Sequence, residues 1–282
     1  MDRIGVIGLG RMGAAMAERF AAMGVTVTGW TRSGRSVEGV PQAPDLAALV
    51  ATSDVLVTSL FDDAAVANVL DALLGCDLSG KLIVETSTVV PGVAKARAER
   101  IAAAGAAIVD APISGGPELV AAGQCGVFIG GEAEDAARAE AALAPLSARI
   151  FHVGPLGAGL VMKTINNAMV QVYIAGLAEQ LRLARRAGLP LKTALTILGG
   201  GPAGMPAMRD RIPKMLGEDD TVGFPVSGLL KDYAVFRRVA DEAGVETPAL
   251  AAAEPLFLDA IEAGLAEADG AAILSRAYRD DA

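Results

Sequence analysis

The sequence predicts an α/β fold in two parts. An N-terminal Rossmann-type doubly wound sheet is followed by an all-α C-terminal region, and a long helix joins them. Three observations carry this expectation. Short apolar, β-rich runs alternate with helical stretches up to Val153. A Gly-x-Gly-x-x-Gly turn follows the first of those runs. After Gly159 the strand-like runs stop and helical spacing takes over. The expected division is 1–156 for the α/β part and 157–282 for the helical part.

The elements follow in order. Ile4–Ile7 reads as a strand, Gly13–Met23 as a helix and Thr26–Trp30 as a second strand. Val55–Leu60, Leu82–Glu85, Ala107–Asp110 and Gly126–Gly130 continue the series, with helical segments between several of them. Apolar strands separated by helices imply a mostly parallel sheet covered on both faces. Ala133–Leu143 is one more helix and Arg149–Val153 a last edge strand. Leu160–Ala187 then reads as one helix of ~42 Å at 1.5 Å per residue. Gly188-Leu189-Pro190 supplies its C-terminal stop. Leu191–Leu198, Pro206–Met215, Val226–Ala243, Thr247–Ala263 and Ala268–Arg276 are the expected shorter helices, with a flexible connection at 199–202.

Bulk composition narrows the function. The 282 residues are 52% hydrophobic and carry a formal net charge of -9, which disfavours nucleic acid or an anionic membrane as partner. Cys76 and Cys125 lie far apart and form no metal or redox spacing, in keeping with a reducing cytoplasm. Neither a signal peptide nor a membrane span is expected. His152 is the single histidine, which removes most Ser-His-Asp, Cys-His and His-metal schemes. The chemistry must rest on lysine, carboxylates, hydroxyls or a cofactor.

Gly8-Leu9-Gly10-Arg11-Met12-Gly13 sits between the first strand and the first helix. Gly8 permits a tight turn, Gly10 lets the backbone approach a pyrophosphate, and Gly13 allows close packing of helix on strand. Free N–H groups at the helix start then face the anion. A dinucleotide is the expected ligand. At the end of the second strand, Gly29-Trp30-Thr31-Arg32-Ser33-Gly34-Arg35 offers no carboxylate for a ribose 2′-hydroxyl. Arg32 can hold a 2′-phosphate, with Thr31 and Ser33 donating hydroxyls, so NADP is favoured and NAD stays open.

Lys163 and Asn167 stand four residues apart near the start of the long helix and share a face. Taken alone, Lys163 reads as a snorkelling side chain with its stem along the core. Three strand ends add polar sequence at 60–63, 85–88 and 110–116. Asp62 and Ser87 read as caps. Ser114-Gly115-Gly116 reads as a backbone nest for a carboxylate.

These motifs, in this order, resemble the β-hydroxyacid dehydrogenase family, which includes 3-hydroxyisobutyrate dehydrogenase, tartronate semialdehyde reductase and glyoxylate/succinic semialdehyde reductases. The resemblance covers nearly the whole chain. It is carried by residues 8–13, 85–88, 110–116, 154–167 and Lys231-Asp232. It implies an NADP-dependent oxidoreductase that moves a hydride between nicotinamide and a small 3-hydroxy acid, or its semialdehyde or 2-oxo acid. The implied roles are Lys163 as acid/base, Asn167 as substrate-orienting group, and Ser114, Gly115 and Gly116 as carboxylate binders. The glycine turn at 8–13, Thr31, Arg32, Ser33, Leu60, Phe61, Thr88 and Lys231 would serve the cofactor, and Asp232 the adjoining helix. Glu85 stands where many relatives carry aspartate, which leaves substrate identity open. The resemblance also implies a homodimer or higher oligomer, with the helical part serving substrate and dimerisation. Two alternatives remain: an NADPH-dependent imine reductase, and a dinucleotide-binding module without turnover.

Overall fold

A computed structural model describes residues 2–279. The chain divides into two compact units, Met1–Thr164 and Ile165–Ala282.

The first unit is a sheet wrapped by helices. It runs β1 (Ile4–Ile7), α1 (Arg11–Ala22), β2 (Val27–Trp30), α2 (Leu46–Thr52), β3 (Val55–Thr58), α3 (Asp63–Leu73), β4 (Leu82–Glu85) and α4 (Gly92–Ala103). β5 (Ala107–Asp110), β6 (Ile113–Ser114), α5 (Pro117–Ala122), β7 (Gly126–Gly130), α6 (Ala133–Leu143) and β8 (Arg149–Gly154) complete it. The strand order is β2-β1-β3-β4-β5-β7-β6, with β8 paired to β7. β1 to β5 are mutually parallel, whereas β7 runs antiparallel to β5 and β6.

Side chains alternate across the strands with period two, and the alternation builds two cores. Val55, Val57, Leu82, Val84 and Val109 join the helix residues Met16, Phe20 and Leu143 on one face. Leu56, Ile83 and Ile108 join Leu49, Leu70 and Ile101 on the other. Both faces of the central strands are therefore buried, which is why they read as continuous apolar runs rather than as alternating ones. In register, Ile7, Thr58, Glu85 and Asp110 form one row across the carboxyl ends of β1, β3, β4 and β5.

α7 (Ala158–Arg186) follows, and the boundary between the units falls within it. The second unit continues with α8 (Leu191–Gly200), α9 (Pro206–Arg209), α10 (Ile212–Leu216), α11 (Val226–Glu242), α12 (Pro248–Ala251), α13 (Glu254–Glu262) and α14 (Ala271–Arg279). Its core gathers Leu177 and Leu181 of α7 with Phe236, Phe257 and Leu274. Tyr233 meets Phe257 edge-on at 6.3 Å between ring centres.

Two expected helices are each divided. The run 206–215 separates into α9 and α10, and 247–263 into α12 and α13. Pro213 and Pro255 stand at the starts of the second pieces, where a missing N–H costs nothing but a continuous helix would be blocked. The glycines at 199 and 200 continue α8 rather than forming a loop. The last helix starts three residues later than expected, at Ala271, where Asp269 Oδ1 accepts its backbone N–H at 3.0 Å. Among the described residues, no helix is long and apolar enough to cross a membrane.

Candidate active site

The glycine turn closes the carboxyl end of β1. Gly8 has φ +95°, a conformation open to glycine, and a Cβ there would lie 2.3 Å from the Ser59 carbonyl oxygen. A Cβ on Gly13 would lie 1.8 Å from the Gly8 carbonyl oxygen, so α1 packs directly onto the turn. Space around Gly10 is open instead, with nothing within 4 Å of a Cβ position. Gly10 is also the N-cap of α1, and no side chain caps that end. An uncapped helix start beside open space fits a pyrophosphate. Leu9 is buried against Gly29, while Met12 packs on the core and Arg11 opens the helix.

β2 ends at Trp30, and Thr31 to Gly34 form a turn closed by Gly34 N–H donating to the Thr31 carbonyl at 3.1 Å. Arg32 and Ser33 are exposed on that turn and Thr31 is half-buried. From Gly29 to Val37 the chain carries no acidic residue.

The next two strand ends are laced together. Thr86 Oγ1 donates to the Thr58 carbonyl at 2.6 Å, and Leu60 N–H donates to Ser87 Oγ at 2.8 Å. Ser87 thus braces the loop after β3 and does not cap a helix. Asp62 does cap one, accepting the Ala65 N–H at 2.8 Å. Leu60 and Thr88 are half-buried, and Phe61 is 70% exposed at the loop tip.

Beneath these loops lies Glu85, fully buried. Its carboxylate accepts from Thr58 Oγ1 and, at 2.6 Å, from the Ser87 N–H. Burial pushes its carboxyl up to about 7, against the pull of the hydrogen bonds from Ser87 and Thr58, and Asp110 next to it raises it further. Asp110, at the end of β5, is also fully buried and accepts the backbone N–H of Gly157 at 2.5 Å and of Leu160 at 2.7 Å. Burial pushes it up to about 6, opposed by those amides. In the sequence, Glu85 and Asp110 show one common signal, an acidic residue closing an otherwise apolar strand.

After Asp110 the chain turns through Pro112 into β6, whose Ile113 and Ser114 pair with Val127 and Gly126. Gly115 has φ +124°, and Gly116 N-caps α5. Ser114 and Gly116 are half-buried and Gly115 is exposed. Lys163 Nζ donates to the Ile113 carbonyl, one residue before that nest, and the side chain is 6% exposed. The snorkelling alternative is thereby replaced: the ammonium is held on a buried carbonyl.

In the second unit, Asn167 follows Lys163 by one turn of α7, and its Oδ1 accepts from Asn166 Nδ2 at 2.8 Å. Lys231 and Asp232 pair with each other at 2.9 Å, and Gln171 Nε2 ties α7 to α11 through the Leu229 carbonyl at 2.9 Å.

Known proteins match along the chain. The profile of the NAD binding domain of 6-phosphogluconate dehydrogenase matches residues 3–154. That of the NAD-binding region of NADP-dependent 3-hydroxyisobutyrate dehydrogenase matches residues 157–277. The 2-(hydroxymethyl)glutarate dehydrogenase of Eubacterium barkeri is 30% identical, over 96% of this chain and 93% of that protein. The 3-hydroxyisobutyrate dehydrogenase of Pseudomonas aeruginosa is 32% identical over 91% of both. The solved structure of Mycobacterium tuberculosis 3-hydroxyisobutyrate dehydrogenase with L-serine superposes with a TM-score of 0.87 at 25% identity, covering 97% of this chain and 98% of that one.

Proposed function

We propose, from the premise that the chain belongs to the β-hydroxyacid dehydrogenase family of NAD(P)-dependent oxidoreductases, that it is an NADPH-preferring enzyme for a small 3-hydroxy acid or the corresponding carbonyl acid, with Lys163 as its acid/base. One observation carries the catalytic part. Lys163 is buried and directed at the Ile113 carbonyl, beside the Ser114-Gly115-Gly116 nest. A carboxylate held on that nest would bring a neighbouring hydroxyl or carbonyl oxygen toward the ammonium. L-serine, named with the M. tuberculosis structure, is itself a small 3-hydroxy acid and fits this class.

The nicotinamide supplies the hydride chemistry when bound. The protein supplies charge and position. As a carbonyl is reduced, negative charge grows on its oxygen, and the Lys163 ammonium stabilises it and gives up a proton. In the oxidising direction the neutral amine takes the hydroxyl proton. The glycine turn at 8–13 holds the pyrophosphate, and Arg32 with Thr31 and Ser33 takes the 2′-phosphate. Leu60, Phe61 and Thr88 contribute the loops after β3 and β4. Asn167 orients substrate and Lys231 contacts the cofactor, as the family resemblance implies. A homodimer or larger assembly belongs to the same reading.

The test is a spectrophotometric screen of purified protein with NADPH and with NADH. Glyoxylate, succinic semialdehyde, methylmalonate semialdehyde and tartronate semialdehyde are the carbonyl substrates. 3-Hydroxyisobutyrate and L-serine, with NADP+ and NAD+, test the reverse direction, and a cyclic imine is the contrast. Turnover of a carbonyl acid, or of a 3-hydroxy acid in reverse, is the expected result. Turnover of the imine alone would overturn it.

A further inference from the structure

The chain between Asp110 and Ser114 grips the start of α7 at two heights. At the lower one, Asp110 takes the Gly157 N–H on Oδ1 and the Leu160 N–H on Oδ2. At the upper one, three residues further along both segments, the Ile113 carbonyl takes Lys163 Nζ. The first N–H groups of any helix lack intrahelical partners and are usually satisfied by a neighbour in sequence. Here the acceptor comes from a strand end 47 and 50 residues earlier.

The fit is close on two sides. A Cβ on Gly130 would lie 2.3 Å from Asp110 Oδ1, and one on Gly159 would lie 2.9 Å from Oδ2 and 2.2 Å from the Phe128 carbonyl oxygen. The carboxylate is therefore wedged between two residues without side chains. One hydrogen bond would leave the helix free to pivot. Two, to amides on either side of Gly159, restrain both its rotation and its slide along the axis.

We propose that Asp110 is a positioning residue for the proposed catalytic lysine: its carboxylate sets the register of α7 and hence where the Lys163 ammonium meets substrate. The proposal rests on the acid/base reading of Lys163 given above. A carboxylate at the positive end of a 29-residue helix is also favourably placed. Its resistance to desolvation comes from the two amides, which oppose the effect of burial.

The experiment is a double-mutant cycle. Asp110→Asn keeps the side-chain volume and loses one acceptor; Asp110→Ser is a smaller second variant. Each is made in the wild-type and Lys163→Ala backgrounds. kcat and KM are measured with NADPH and the best substrate of the screen, NADPH affinity by fluorescence, and folding by thermal melt. The expected result is a roughly 10- to 100-fold fall in kcat, the scale of a misplacement near 1 Å. NADPH affinity should stay within about threefold, and no further loss should occur in the Lys163→Ala background. Wild-type kcat in folded Asp110 variants, or a loss that multiplies with Lys163→Ala, would overturn the positioning role alone. Failure of both variants to fold cooperatively would also overturn it, assigning the carboxylate to stability. Undiminished turnover in Lys163→Ala itself would overturn the acid/base reading and the positioning role together.

Discussion

Glu85 and Asp110 are register partners at the carboxyl ends of two neighbouring strands, and neither side chain reaches solvent. Each is held by backbone N–H donors from a loop or helix that the sheet must place: Ser87 for Glu85, and Gly157 and Leu160 for Asp110. The row of strand ends thus acts as a brace beneath the candidate site.

That relationship has a pH consequence. Glu85 sits at about 7 against an ordinary 4.5, and Asp110 at about 6 against 3.8. The folded state therefore holds more protons than the unfolded chain between those values, and stability from this pair falls as pH rises through them. The groups facing Glu85 are the Thr58 hydroxyl, the Ser87 amide and Asp110. Glu85→Gln removes one titration, so its melting temperature relative to wild type should climb between pH 5 and pH 8. Parallel melting curves of the two proteins would show that the carboxyl ionises normally.

Gly13→Ala should damage the nucleotide turn. The added methyl would meet the Gly8 carbonyl oxygen at 1.8 Å, so α1 or the turn must shift. A destabilisation of about 1–3 kcal/mol by chemical denaturation is expected for such overpacking, together with weaker NADPH binding. Unaltered values for both would mean that the contact relaxes freely.

Arg32→Ala should weaken NADPH at least about tenfold while leaving NADH within about twofold, the scale of one charge-assisted contact to phosphate. Binding is read by nicotinamide fluorescence. An equal loss for both cofactors would remove the 2′-phosphate role from Arg32.

Lys163→Ala should lower kcat by about two to four orders of magnitude, the usual contribution of a positioned acid/base. NADPH affinity should change by no more than about threefold. A variant that turned over normally would assign the buried ammonium to packing.

Much of this was legible before any fold was known. The run 4–13 reads as strand, turn and helix because each part follows a local rule: apolar spacing, glycine at tight positions, a helix start. The five parallel strands were legible for the same reason. Pro213 and Pro255, by contrast, each divide a helix that hydrophobic spacing alone presents as continuous. β6 leaves no local signal, because its two residues, Ile113 and Ser114, are strand only through pairing with β7. Ser87 reads locally as a cap, yet its hydroxyl accepts from an amide 27 residues earlier.

The sequence by itself determined the layered α/β unit, the glycine turn, the helical second unit and the lysine with its asparagine one turn on. All of these depend on spacing within about a dozen residues. Only the tertiary structure decided that Lys163 is buried on the Ile113 carbonyl, that Asp110 grips the start of α7 and that Glu85 lies beneath the Ser87 loop. The physical reason is that a buried charge is defined by its partners. These partners are backbone groups, which carry no residue identity and reach the site only when distant strands come into register.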